Sequence, residues 1–263
     1  MTNDDGIDSI GLHVLARALT ELGDVVIIAP DREFSGSGAA VGALYEFRPE
    51  VRRRKIDGIG EAWSLNGPPA LCVLYSKLGV FGDPFDLVVS GINPGSNVGR
   101  SVYYSGTVGA CLTGASAGLR ALAVSLDVLT PTAASAASGG AALANLDKVD
   151  DEARNWRTAA ELARKLMPAL TTVPEGTVIN LNVPDRVPEE VRGMRRARLA
   201  RFGQVQMTIA EAAEDYVRMS IKEEEARPEP GTDLALLLEG WATVTAIHTI
   251  IADESVELPM TDE

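Results

Sequence analysis

Apolar residues along this chain fall into two spacings. Short β-branched runs at Val25–Ala29, Phe85–Ser90, Ala121–Leu126 and Thr177–Val183 have the look of strands buried on both faces. Between them, apolar side chains recur every three or four residues. Leu12, Leu15, Leu19 and Leu22 share one face of a helix expected over Asp8–Leu22, with Asp8 or Ser9 as its N-cap and Gly23-Asp24 as its end. Gly67-Pro68-Pro69 opens a second helix reaching about Leu78, because proline is tolerated in a first turn. A third, Val108–Leu119, carries the small residues Gly109, Ala110, Gly114 and Ala115, and a fourth sets Trp156, Ala160, Ala163, Met167 and Leu170 on one side. Strand and helix in alternation predict an α/β fold with a mostly parallel sheet between helices.

Elsewhere the pattern is weaker. Ala39 to Trp63 is expected to form extended segments projecting from the sheet, with Arg52-Arg53-Arg54-Lys55 on a solvated strand edge. Thr130–Asp151 turns abruptly to Pro, Thr, Ser, Gly and Ala, as a flexible insertion would, and carries no assigned chemistry. Thr177–Val183 is expected to close the sheet. Arg192–Arg201 forms a basic surface, Glu211–Glu225 an acidic solvated one, and Trp241–Ile251 a long strand in which His248 is structural. The whole of 1–263 reads as one domain.

Charge narrows the partners. A net charge of −13 and a pI near 4.7 repel polyphosphate backbones, which argues against a nucleic-acid duplex as ligand and leaves room for a small phosphorylated one. The two cysteines, Cys72 and Cys111, lie in apolar helix-like segments without a CxxC spacing, as buried thiols in a reducing compartment do. There is neither a signal-peptide pattern at the start nor an apolar run of about 18 residues, so a cytoplasmic protein with no membrane span is expected. With only two histidines, His13 and His248, a multi-histidine zinc site or a Ser-His-Asp triad has little to draw on. Chemistry must rest on oxygen ligands.

Three stretches offer such ligands. Asn3-Asp4-Asp5-Gly6 pairs two carboxylates with a turn-making glycine, which suits a hard divalent cation. The same triplet is also what a solvated turn looks like. Its position, where a strand ends and a helix begins, favours the site, because ligands of open α/β sheets bind at that edge. Gly91-Ile92-Asn93-Pro94-Gly95-Ser96-Asn97 leaves its own strand at the same edge. That loop has neither the GxGxxG of a dinucleotide site nor the GK[ST] of a P-loop. Pro30–Gly38 is a loop of small residues, able to bring amides near an anion or to lie as a plain surface loop. Ser105-Gly106-Thr107 at a helix start offers hydroxyls, free amides and the positive dipole end, a phosphate seat compatible with ordinary capping.

With these motifs in view, the sequence resembles the survival protein SurE family of metal-dependent nucleotidases, also described as acid phosphatases. The likeness runs through Thr2–Asp8, Ala29–Glu33, Ser35-Gly36, Gly67–Cys72, Val89–Asn93, Tyr104–Val108, Asn180–Pro184 and Gly231-Thr232-Asp233. It implies that Asp4, Asp5, Ser35 and Asn93 hold one divalent metal, and that Asn3, Asn97, Ser105, Gly106 and Thr107 line the phosphate pocket. It also implies a Rossmann-like three-layer sandwich, with extended β segments and a C-terminal arm, from about residue 200, that builds homodimers or homotetramers. All-oxygen ligation points to Mg²⁺ or Mn²⁺, with Ca²⁺ as an inert occupant.

The chain departs from the family pattern in three places. Ser37-Gly38-Ala39-Ala40 stands where many relatives carry a polar His-Ser or Asn-Ser pair, which puts a substrate contact in doubt. The Ala-rich stretch is longer than usual. Only Met1, Thr2 and Asn3 precede the paired acids where relatives carry an apolar strand, so an upstream start is expected, with neighbouring strands left unpaired in its absence.

The reaction the resemblance implies is hydrolysis of a nucleoside monophosphate, at its 5' or 3' position, or of a related phosphate monoester. The metal would lower the pKa of bound water and neutralise phosphoryl charge, and the Ser-Gly-Thr donors would meet the developing charge. Asp4 or Asp5 orients the attacking water or attacks phosphorus itself, and the sequence leaves both open. A protein that binds metal or nucleotide without turnover remains an alternative. A metal-dependent glycosyltransferase is a weaker one, because the chain after Asp151 is short for a second Rossmann-like half.

Overall fold

The computed structural model describes residues 1–42, 48–128, 153–203, 205–213, 215–223, 227–252 and 255. Strands Val26–Pro30 (β1), Val51–Arg54 (β2) and Glu61–Leu65 (β3) form a block in the order β1-β3-β2. β1 and β3 run parallel, and β2 is antiparallel at the edge. A second block contains Leu87–Pro94 (β4), Arg120–Asp127 (β5), Thr177–Pro184 (β6), Met194–Arg196 (β7) and Ala242–His248 (β10), in the order β4-β5-β6-β10-β7. β4, β5 and β6 are parallel, and β10 runs antiparallel to β6. Val205–Ala212 (β8) and Val217–Glu223 (β9) make a separate antiparallel pair.

Met1 and Thr2 join the two blocks. The Thr2 N–H donates to Val89 O (3.0 Å), Thr2 O accepts from Gly91 N–H (2.9 Å), and Met1 O accepts from Ile28 N–H (2.9 Å). The strands on either side of this segment are therefore not left unpaired beside it, contrary to the expectation from the short run before Asn3. From this seam the chain passes to β1 on one side and later returns to β4 on the other. Asn3 to Gly6 thus emerge at the point where strand order reverses, the crevice in which open α/β sheets place their ligands.

Helices cover both faces. Ile10–Leu19 (α1) and Trp156–Leu170 (α4) lie on one, where Leu15, Leu19, Trp156 and Ala163 pack with Leu122, Val124, Ile179 and Leu181. Pro69–Lys77 (α2) and Gly106–Ser116 (α3) lie on the other, packing Val73, Val108 and Cys111 against Val88, Ala121, Ala123 and Val178. Each fully buried Leu or Ile here contributes about 1.5–3 kcal/mol through removal from water. A short helix, Asp233–Leu238 (α5), packs Leu234 and Leu237 against Val98 and Ala200. The result is the expected three-layer Rossmann-like sandwich.

Several expectations need correction. α1 stops at Leu19 and leaves Leu22 half exposed, because a turn closed by Leu22 N–H on Leu19 O ends the helix early. β3 does not project from the sheet. Its pairing with β1 buries Ala62, Ser64 and Leu65, while β2 presents Arg52 and Arg53 to solvent as read from the sequence. β6 does not close the sheet, since β10 adds beyond it and every β6 residue is buried. The strand expected to Ile251 ends at His248, which pairs with Thr177, and Ile250 and Ile251 are exposed. The insertion expected at 130–151 lies outside the described residues. Cys72 and Cys111 are buried free thiols, and burial pushes Cys72 up to about 12, which keeps it unreactive.

Candidate active site

The site begins with a cap. Ser105 is extended, and its hydroxyl oxygen accepts from Val108 N–H at 3.0 Å, so α3 starts at Gly106 with its amides directed toward the crevice. Asp4 comes to meet them from the other half of the fold. The Thr107 hydroxyl donates to Asp4 Oδ1, and the amides of Gly106 and Thr107 face the same carboxylate. Burial pushes the Asp4 carboxyl above the ordinary carboxylate range, and these donors pull it the other way. A buried acid with raised affinity for a proton, and no basic side chain against it among the described residues, is a place where a cation would be favoured.

Gly106 is required at this point. A Cβ built on it would lie 2.7 Å from Asp4 Oδ2 and 2.8 Å from Ser37 Oγ, so any side chain would fill the space between them. Ser37 belongs to the loop after β1, and that loop is fixed at both ends. Phe34 N–H donates to Asp4 O (2.7 Å) and Gly38 N–H to Tyr104 O (3.2 Å). Across from it, a Cβ at Gly109 would come 2.1 Å from Gly38 O. The loop lies directly on the first turns of α3.

Asn93 sits at the end of β4, where its amide nitrogen donates to Gly95 O (2.7 Å), so that its side-chain oxygen is the atom it can offer an ion. Ser35 is exposed and donates its proton to Glu33 Oε1 (2.6 Å), keeping lone pairs for a cation. Asp5 borders a cavity of about 320 Å³ shared with Gly6, Asp8, Asp31, Arg32 and Trp156. Among the described residues no three of His, Cys, Asp and Glu converge, so a metal here would rest on two carboxylates and neutral oxygens. That donor set fits a hard divalent ion. Asn3 is fully buried and donates to the Ser9 hydroxyl (2.6 Å), which itself caps α1. Its first task is therefore to hold the start of α1.

Asn97 is held by residues to which the sequence reading gave no role at the site. Its N–H donates to Asn182 Oδ1 (2.7 Å), its Nδ2 to Ser125 Oγ (2.8 Å), and its carbonyl accepts from Asn180 Nδ2 and Asn182 Nδ2. Asp233 fixes the next turn. One carboxylate oxygen accepts from Gly99 N–H (2.8 Å), and the other from the amides of Ala200 (2.8 Å) and Leu234 (2.9 Å). The polar residues at alternate positions of Asn180-Leu181-Asn182 were the available signal: buried amides on one strand face need partners.

The family model described as survival protein SurE matches residues 1–206. The chain belongs to the SurE family. It is 34% identical over 268 residues to the 5'-nucleotidase SurE of Rhodopirellula baltica, covering 100% of this chain and 96% of that protein. With the 5'-nucleotidase SurE of Rubrobacter xylanophilus it shares 36% identity over 257 residues, 96% of this chain and 92% of the relative. The crystal structure of the SurE protein from Aquifex aeolicus superposes with a TM-score of 0.72 at 28% identity, covering 97% of this chain and 94% of that one. The likeness is thus one of fold as well as of sequence.

Proposed function

We propose that this protein is a phosphoric monoester hydrolase of the 5'-nucleotidase type, acting on nucleoside monophosphates in the crevice at Asp4. The observation that carries the reading is the buried Asp4 carboxylate set against the N-terminus of α3 and bonded to Thr107. A helix N-terminus with an adjacent hydroxyl favours an anion, and a buried carboxylate in the same place favours a cation. A phosphate ester bound with a divalent metal satisfies both. In this reading Asp4, Asp5, Ser35 and Asn93 hold one Mg²⁺ or Mn²⁺, which when bound supplies charge neutralisation and a more acidic water.

The chain's own groups do the rest. Ser105 keeps a proton to donate to phosphoryl oxygens as they gain charge while its oxygen caps α3, and the Thr107 hydroxyl and the Gly106 amide hold Asp4 at the helix start. Asp5, beside the cavity, orients the water for attack on phosphorus. The Asn182, Ser125 and Asn180 side chains keep Asn97 at the edge of the phosphate seat. The cavity of about 320 Å³ next to Asp5 gives room for the nucleoside, with Asp31 and Arg32 at its wall.

The reading extends to assembly and setting. The β8–β9 pair exposes Ile209, Tyr216 and Val217, an apolar surface fitted to a second copy of the chain in a homodimer or homotetramer. Light scattering checks it, and a monomer at micromolar concentration would refute it. No helix among the described residues is long and apolar enough to cross a membrane. The negative charge and unpaired thiols accord with a cytoplasmic setting.

The deciding experiment is a phosphatase assay with Mn²⁺ on a panel of nucleoside monophosphates and p-nitrophenyl phosphate. Hydrolysis that is lost on chelation and preferred for nucleotides is the expected result. Absence of turnover on every substrate, with metal present, overturns the reading in favour of a binding protein.

A further inference from the structure

Ser37 borders the crevice with a side chain that caps no helix and bonds to nothing else among the described residues. Its oxygen is buried and has no hydrogen-bond partner among the described residues. The backbone around it is fully engaged: Ser37 N–H donates to Phe34 O (3.1 Å) and Ser37 O accepts from Ala40 N–H (3.1 Å). A buried hydroxyl without a partner costs free energy, so a fold that keeps one at its site keeps it at a loss unless a ligand uses it. The position is specific, since Ser37 Oγ and Asp4 Oδ2 lie on either side of the bare face of Gly106.

The donors of Gly106 and Thr107 already have an acceptor. The Thr107 hydroxyl bonds to Asp4, and the amides of Gly106 and Thr107 face the same carboxylate, which stands at the helix start as an anion would. We infer that Ser37 is a substrate-contacting residue whose hydroxyl donates to a phosphoryl oxygen, supplying the polar contact that Ala39 and Ala40 do not. This rests on the hydrolase reading above. Ser37 lies on a loop clamped to both Asp4 and α3, so the donor is in place before substrate arrives, the condition under which such a bond contributes most to the transition state.

The test is Ser37→Ala in the full chain with Mn²⁺, with Ser37→Gly as a second variant. Three quantities are measured: kcat/KM on a nucleoside monophosphate and on p-nitrophenyl phosphate, the Kd of inorganic phosphate by calorimetry, and Tm. The expected result is a fall in kcat/KM of about tenfold to a hundredfold on both substrates, a weaker phosphate Kd, and an unchanged or higher Tm. A purely structural serine would instead lower Tm and leave phosphate binding intact. Variants within twofold of the parent in both kcat/KM and phosphate Kd overturn the inference. Should the parent hydrolyse neither ester, the hydrolase reading falls, and the phosphate measurement still decides Ser37. A parent that binds phosphate while the variants do not sustains the contact, and equal binding or none refutes it.

Discussion

Asp233 accepts the Gly99 N–H at 2.8 Å across 134 positions of sequence, and through that bond the C-terminal part of the chain steadies the loop bearing Asn97. Burial pushes the Asp233 carboxyl above its ordinary value of 3.8, outweighing the amides that pull it down. A group whose folded pKa is raised contributes its stability below the unfolded value and loses it as pH climbs through the folded one. Compared with the non-titrating Asp233→Asn, the parent's advantage in unfolding free energy should therefore shrink as pH rises from 3.8 and then level off. Denaturant melts of both proteins across that range check the sign, and an advantage growing with pH contradicts it.

Asp4→Asn and Asp5→Asn are expected to abolish most phosphatase activity, and chelation should reproduce both in the parent. Without metal, Asp4→Asn should match or exceed the parent in Tm, because it removes a buried charge that has no basic partner among the described residues. Full activity in either variant at trace metal would dismiss the proposed ligand set.

Ser105 and Thr107 should differ in stability. Ser105→Ala removes both the α3 cap and a proposed phosphate donor, so it should cost about 1 kcal/mol of stability and lower kcat/KM as well. Thr107→Ala removes the bond to Asp4 and should lower kcat on the order of a hundredfold, with a smaller effect on KM. Melts beside steady-state kinetics read both, and a Thr107→Ala enzyme with undiminished kcat would mean the hydroxyl serves folding alone.

Asn182→Leu leaves the buried Asn97 N–H without its acceptor, a loss of roughly 1–3 kcal/mol. The same change frees the Asn97 side of the phosphate seat, so kcat/KM should fall in parallel with Tm. Normal kinetics in a destabilised variant would show that Asn97 does not touch substrate.

The strands β1, β4 and β5 were legible because burial on both faces imposes an uninterrupted apolar run. α3 was legible because close packing selects small residues. β3 was not, since the weak alternation from Ala39 to Trp63 suggests only extended projecting segments until the pairing of Glu61–Leu65 with β1 is known. β6 was misplaced for the same reason, as the antiparallel addition of β10 is a long-range event that leaves no mark in β6 itself. At the site, the residue types at Asp4, Gly106 and Thr107 were readable from motifs, but the direct bond between Asp4 and Thr107 was not. Ser37 carried no role of its own in the sequence, because the Pro30–Gly38 loop reads equally well as an anion-binding loop or as a plain surface loop.

The loop from Phe34 to Gly38 has a kinetic meaning as well. Tied to Asp4 at one end, to Tyr104 at the other, and lying against Gly109, it is held in place at three points. Its conformational entropy is surrendered when the chain folds and not when substrate binds, so encounter with the site involves no ordering penalty from this segment. The loop from Phe34 to Gly38 therefore adds no gating motion of its own to substrate entry or product release.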